Sequence, residues 1–281
     1  MPLGKAAEYG FLSARCHSMR SQLLSYETLK ELASSRSLGE LYSALGDTPY
    51  APFLSSASAD EIHSGLSNAF EHQRKKVTRE IKKSNQEIFK LFFETKYSLL
   101  DEKTLQAGKK NPEENFCIID KNYIILLKKS MLKLPSIEQR HLKKILGSYF
   151  DLLNLYNLVK FRILYQLTIE ETLTYMFPYT ENFNINDLAS LCDIENIQQL
   201  SSRIEPIVGE SFDSYESFRR VLYNYHRKKL LSIWSAYPFS ISIPFSLLRL
   251  IEIEISDLRV ITEGVKFNLG SSKISEMIVG I

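Results

Sequence analysis

The side chains that could do chemistry in this sequence are scattered. The five histidines, His17, His63, His72, His141 and His226, never fall in a His-Glu-x-x-His spacing, and none has a cysteine at a usual metal-ligand interval. Cys16 and His17 are adjacent, so a helix points them to different sides. Cys16, Cys117 and Cys192 are odd in number and far apart, which argues against a disulfide framework and a Cys-x-x-Cys site. There is no Gly-x-x-x-x-Gly-Lys-Ser/Thr, no Gly-x-Gly-x-x-Gly and no Gly-x-Ser-x-Gly, so neither a phosphate-cradling loop nor a serine elbow is visible. The sequence assigns no catalytic, cofactor-binding or metal-ligating residue. What remains is charge and amide chemistry on long apolar segments: Glu8, Arg15 and Arg20; Asp151, Asn154 and Arg162; Glu252, Asp257 and Arg259. Such groups make ion pairs and charge-assisted hydrogen bonds. Two readings stand open: surface charge or internal pairing that fixes helix register, or the polar lining of a hollow that receives a partner.

The elements that must position these groups are helical. Phe11, Leu12, Cys16, Met19 and Leu23 recur at three- and four-residue spacing, one apolar face with Arg15 and Arg20 on or beside it. A turn at Leu24 to Glu27 leads to a shorter helix opened by Ser37-Leu-Gly-Glu40, a capping box, and closed before Asp47-Thr-Pro. The unit recurs at Asp151 to Cys192, where Leu-Thr-Ile-Glu matches Leu-Ser-Tyr-Glu, and more briefly at Leu247 to Val279. Ser58-Ala-Asp-Glu61 caps a single long helix expected to reach Phe92. Its other face, Arg74, Lys75, Lys76, Arg79, Lys82 and Lys83, reads as a solvated basic face, with a docking face for an acidic partner or lipid headgroups as the alternative. Gly108 to Asn115 reads as a loop, and Ser136 as the cap of a helix that can bend at Gly147 and reach Leu167. Breaks fall at Pro178 to Asn186 and Pro206 to Phe212, before a helix over Asp213 to Trp234. Period alone cannot assign Phe116 to Leu127, and Ile241 to Ile255 alternates as a strand would.

A chain of 281 residues can bury a substantial core, and 44% hydrophobic with 24% charged residues is ordinary for a globular protein. A net charge of +2 gives no sign of nucleic-acid binding. The first residues lack the apolar stretch of a secretory signal, and no run approaches the roughly 20 apolar residues that span a bilayer. The expected compartment is cytosolic, and any membrane contact peripheral.

Three segments carry a family resemblance: YGFLSARCHSMRSQLLSYETLKELASSRSLGELYSALGDTPY at the start, YFDLLNLYNLVKFR at Tyr149 to Arg162, and IEIEISDLRVITEGVKFNLGSSKISEMI near the end. As an ordered set they resemble the C subunit of A/V-type rotary ATPases, the relative of the eukaryotic V-type subunit d. One departure is Ser256-Asp257, where the family more often has an asparagine. The resemblance implies an all-α, funnel-shaped array of three helical pseudo-repeats, 1–115, 116–205 and 206–281, and turns both ambiguous segments into helix. It also implies a non-catalytic rotor subunit that couples the central stalk to the proteolipid ring, peripheral on the cytoplasmic face of the membrane. Nucleic acid and small-molecule substrates would play no part. Arg15, Arg20, Asp151, Asn154, Arg162, Glu252 and Arg259 become the candidate contact residues. Tyr9, Tyr50 and Tyr149 fall where the family also tends to place an aromatic, and a structural role suffices for them. A stand-alone helical scaffold is the other reading, and an enzyme of unrecognised type a third.

Overall fold

In the segment that alternates as a strand, Ser242–Lys266 forms a 25-residue helix, the longest among the described residues. The computed structural model describes residues 3–95, 112–235 and 237–280. Its helices are α1 (Leu3–Arg20), α2 (Tyr26–Ala33), α3 (Leu38–Leu45), α4 (Ala59–Thr78), α5 (Lys83–Lys90), α6 (Pro112–Leu132), α7 (Ser136–Leu158), α8 (Ile169–Thr174), α9 (Ile185–Leu191), α10 (Ile197–Val208), α11 (Tyr215–Ser232), α12 (Ser242–Lys266) and α13 (Ser271–Met277). Short π segments, Leu91–Thr95 and Val159–Leu164, extend α5 and α7. No strand occurs among the described residues. The protein is all-α, as the resemblance implies.

Packing divides the chain into two compact units, Met1–Glu80 with Phe212–Ile281 and, inserted between them, Ile81–Ser211. In the first unit α12 is the centre, packed by α1, α2, α3, α4, α11 and α13. Ile243, Phe245, Leu247, Leu248, Leu250 and Ile253 are all fully buried, and from Ser242 to Ile255 the helix is buried on every side. Alternation of β-branched residues suits a surface with two faces, but burial all round removes that distinction and tertiary packing overrides propensity. Each such side chain contributes about 1.5–3 kcal/mol by leaving water. Pro244 falls in the first turn, where its missing N–H has no intrahelical partner to lose. At the other end Asn268 adopts φ 53°, its N–H reaching Val265 O (3.1 Å) while Leu269 N–H reaches Gly264 O (2.9 Å), the two bonds of a Schellman stop.

The second unit is built on α7, whose Leu142, Ile145, Leu146, Phe150, Leu152, Leu155 and Leu158 are buried. Ile88, Phe89, Phe92 and Phe93 join this core, with Phe92 edge-on to Phe93 (4.9 Å) and to Tyr149 (5.0 Å). Gly147 is required by a close approach: a Cβ there would lie 2.9 Å from the backbone nitrogen of Glu181.

Several local expectations are corrected. The opening unit has three helices where two were expected, because Ser25 accepts the Thr28 N–H and starts α2 on its own. Phe11 is 67% exposed and lies off the buried stripe of Leu12, Cys16 and Met19. The helix from Ser58 is not continuous to Phe92. Lys82 turns to ψ 134°, Asn85 N–H bonds Lys82 O, and the Ile81 carbonyl is taken by the Gln86 side chain (2.7 Å). Arg74 leaves the solvated basic face: it is buried and forked onto Glu71 at 2.8 and 2.7 Å, whereas Lys75, Lys76 and Arg79 are exposed. Residues 108–111 of the expected loop lie outside the described residues, but Pro112 to Asn115 already belong to α6, with Pro112 at its start. The side chain of Cys117 lies outside them too. The N-cap of α7 is Pro135 with no side-chain bond, so Ser136 does not cap, and the helix runs past Gly147 to widen only at Val159. Pro206 sits within α10, which stops at Gly209 with φ 80°.

Gly147→Ala should lose about 1–3 kcal/mol through overpacking against Glu181. Urea denaturation would show a lower midpoint with an unchanged slope; an unchanged midpoint would mean that the 181 loop yields freely.

Candidate functional site

The candidate residues of α12 lie inside the first unit. Glu252 accepts from Arg249 Nη1 at 3.0 Å, and Arg249 Nε donates to His226 Nε2 at 3.1 Å, all three side chains being buried. Asp257 is wholly buried; its Oδ2 accepts the N–H groups of Val279 and Gly280, each at 3.0 Å, and its Oδ1 faces Arg219 at 3.2 Å. Arg219 also donates to Ser256 Oγ (3.0 Å) and to the Met277 carbonyl. Burial raises the carboxyl pKa of Asp257, opposed by Arg219 and the two backbone N–H groups. Arg259 reaches across to α4, donating to Ser67 Oγ at 2.7 Å.

On α1, Arg15 is paired with Glu80 and stands 4.8 Å over the Phe11 ring. Arg20 lies 4.7 Å over Trp234, which also meets His17 edge-on and donates its indole N–H to Ser246 Oγ at 2.9 Å. The Cys16 thiol is pushed up to about 12 by burial, which leaves it a packing residue at ordinary pH.

In the second unit Asp151 is fully buried and accepts three successive backbone N–H groups, Glu181 (3.1 Å), Asn182 (3.0 Å) and Phe183 (3.3 Å). One turn on, Asn154 grips Phe177 from both sides, accepting its N–H at 2.7 Å and donating to its carbonyl at 3.1 Å. Arg162 donates to the carbonyls of Cys192 (2.6 Å) and Leu167. Asp151 and Asn154 thus hold the 177–183 segment on α7, directly above the bare backbone of Gly147.

Four of the seven candidates, Arg15, Arg20, Arg162 and Arg259, are partly exposed, whereas Asp151, Asn154 and Glu252 are buried. The sequence reading missed Glu254, Arg249 and Arg219. Glu254 accepts the Leu24 N–H and the Tyr50 hydroxyl, each at 2.6 Å, and burial pushes its carboxyl up to about 7. The signal was there: once Ile241 to Ile255 is a helix, Glu254 and Asp257 share one face at three-residue spacing. An open groove of about 640 Å³ in the first unit mixes Lys30 and Arg220 with Asp213, Glu276 and several serines, so no one charge dominates it. Among the described residues no group of three His, Cys, Asp or Glu could hold a metal ion, and no helix is long and apolar enough to cross a membrane.

These side chains organise loops and helix ends, and they do so in the segments that carry the family resemblance. The sequence model of the ATP synthase (C/AC39) subunit family matches residues 12–97 and 54–277, which together run through nearly the whole chain. The chain belongs to the ATP synthase (C/AC39) subunit family. No curated protein gives a significant match. A C/AC39 subunit is an accessory chain of an A/V-type ATP synthase complex, so its work is done with other subunits of that assembly. For this C/AC39 subunit the buried carboxylates of α7 and α12 supply internal order.

Asp151→Ala would strand three backbone N–H groups at about 1–3 kcal/mol each where no water replaces the carboxylate. Chemical denaturation should show a loss of at least about 3 kcal/mol, with hydrogen exchange accelerated at 181–183. A loss below about 1 kcal/mol would show that the loop is held by other contacts.

Proposed function

We propose that this subunit joins the rotating central stalk of an A/V-type ATPase to the membrane proteolipid ring and passes torque between them, with no chemistry of its own. The family match over nearly the whole chain carries this reading. The packing supports it: a torque link must resist deformation, close-packed interiors are stiff, and the first unit is threaded by one helix whose residues 242–255 are all buried. The partners are the central-stalk rotor subunits and the proteolipid ring. The protein sits peripherally on the cytoplasmic face, meeting the membrane through the ring. The three pseudo-repeats, 1–115, 116–205 and 206–281, and the funnel arrangement belong to this proposal. A carboxylate on a long helix that gathers the backbone after the following short helix occurs at both Asp151 and Asp257, which supports kinship of the second and third repeats.

Of the candidate contacts, Arg20 and Arg259 are the ones to test, because Arg162 holds two backbone carbonyls and its loss would loosen the second unit. Arg20→Glu and Arg259→Glu should fold with small stability changes, within about 1 kcal/mol, and weaken co-purification with the stalk. Normal assembly and ATP-driven pumping in both variants would remove these residues from the interface. Mass spectrometry of the wild-type complex from detergent-solubilised membranes tests the larger reading: stalk subunits and proteolipid in constant ratio support it. The protein alone in the soluble fraction overturns it in favour of a stand-alone helical scaffold.

A further inference from the structure

Glu254 sits where separate segments of the first unit meet. Its Oε2 accepts the N–H of Leu24, in the turn before α2, and its Oε1 accepts the hydroxyl of Tyr50, in the loop after α3. One carboxylate therefore fastens both ends of the α2–α3 pair to α12. Beside it lies a cavity of about 30 Å³, lined by Met19, Gln22, Tyr50, Gln73 and Glu254 among others. That is room for about one water molecule. Gln73 Oε1, in the wall of the same cavity, is buried without a hydrogen-bond partner among the described residues. An ionised carboxylate has only acceptors and cannot serve that oxygen, but a protonated one carries an O–H that can, directly or through a water.

We propose that Glu254 is a proton-operated latch: ionised, it holds both Leu24 and Tyr50; protonated on Oε1, it donates to Gln73 Oε1 and lets the Tyr50 hydroxyl go. The proton comes from solvent and returns to it, and no bond other than O–H changes. Leu24 stays on Oε2 in both states, so only the loop after α3 is released.

The groups that face Glu254 favour a switch near neutrality. α1 and the turn after it present Met19, Gln22 and Leu23, and α4 presents Ala69 and Gln73, none of them charged. The loop after α3 presents the Tyr50 phenol, held well above its usual range by burial and by Glu254. Among the described residues the charged neighbour that acts on it is Asp257, a turn along α12, and it raises Glu254 further. Burial is the largest cause and brings the carboxyl from 4.5 to about 7. Because the folded chain holds this proton more tightly than the unfolded chain, the associated stability is complete below the ordinary carboxyl value. It is lost as pH rises through about 7.

The test is an NMR titration of the intact chain, labelled with ¹⁵N-leucine and ring-¹³C-tyrosine. The Tyr50 ring and Leu24 amide resonances should move together with a midpoint near 7, and Gln73→Leu should lower that midpoint by removing the acceptor of the protonated form. In Glu254→Gln both resonances should lie flat, and the fall in Tm that the wild type shows across the same range should disappear. Flat wild-type resonances between about pH 5 and pH 9 overturn the latch, and that arm needs no variant to fold. A midpoint unmoved in Gln73→Leu overturns the role of Gln73, and with it the proposed switch.

Discussion

The interior of the first unit is governed by one requirement: α12 is buried on every side from Ser242 to Ile255, and its buried residues include Arg249, Glu252, Glu254 and Asp257. Removing an ion from water costs several kcal/mol unless partners replace the lost solvation. Each of these side chains therefore dictates what its neighbours must supply. Arg249 and Glu252 satisfy one another with His226. Asp257 recruits Arg219 and the backbone of Val279 and Gly280, and Glu254 recruits a turn amide and a phenol. The chain segments that wrap α12 are held where a buried charge needs a donor.

The inserted unit meets the same requirement on a smaller scale. Asp151 collects three consecutive N–H groups much as an anion sits in a nest of backbone donors, and Asn154 adds a neutral grip on Phe177. The loop these residues organise has little regular structure of its own, so its shape is borrowed from α7. Gly147 lets that borrowing work, since only a bare Cα allows the loop backbone to approach so closely. In both units the polar side chains that look most like contact residues in the sequence are largely spent inside the fold.

How far the sequence was legible follows from the range of each interaction. Caps were readable because donor and acceptor lie three residues apart, as Ser37 with Glu40 and Ser58 with Glu61 show. The all-α class was readable from apolar periodicity together with the family resemblance. Asp151 and Asn154 could be singled out by type and spacing, but their partners are backbone groups more than twenty residues away, which leave no mark in side-chain identity. The break before α5 was hidden for another reason: residues 79–82 contain neither glycine nor proline, and the interruption depends on the Gln86 amide replacing a helical bond. Residues 241–255 were ambiguous on period alone because period reports how many faces are wet, and over that stretch none is.

The first unit is also discontinuous in the chain, its first eighty residues separated from α12 by the whole of the second unit. A ribosome delivers α1 to α4 before α12, the helix they pack against, exists. Folding during synthesis favours domains in the order in which they emerge, and here that order is inverted, because the inserted segment can complete its core while the earlier one still waits. The nascent chain must keep its opening helices soluble and loosely associated until its last stretch arrives, so anything that slows or stops translation between the two units leaves an apolar hollow open to whatever else is in the cell.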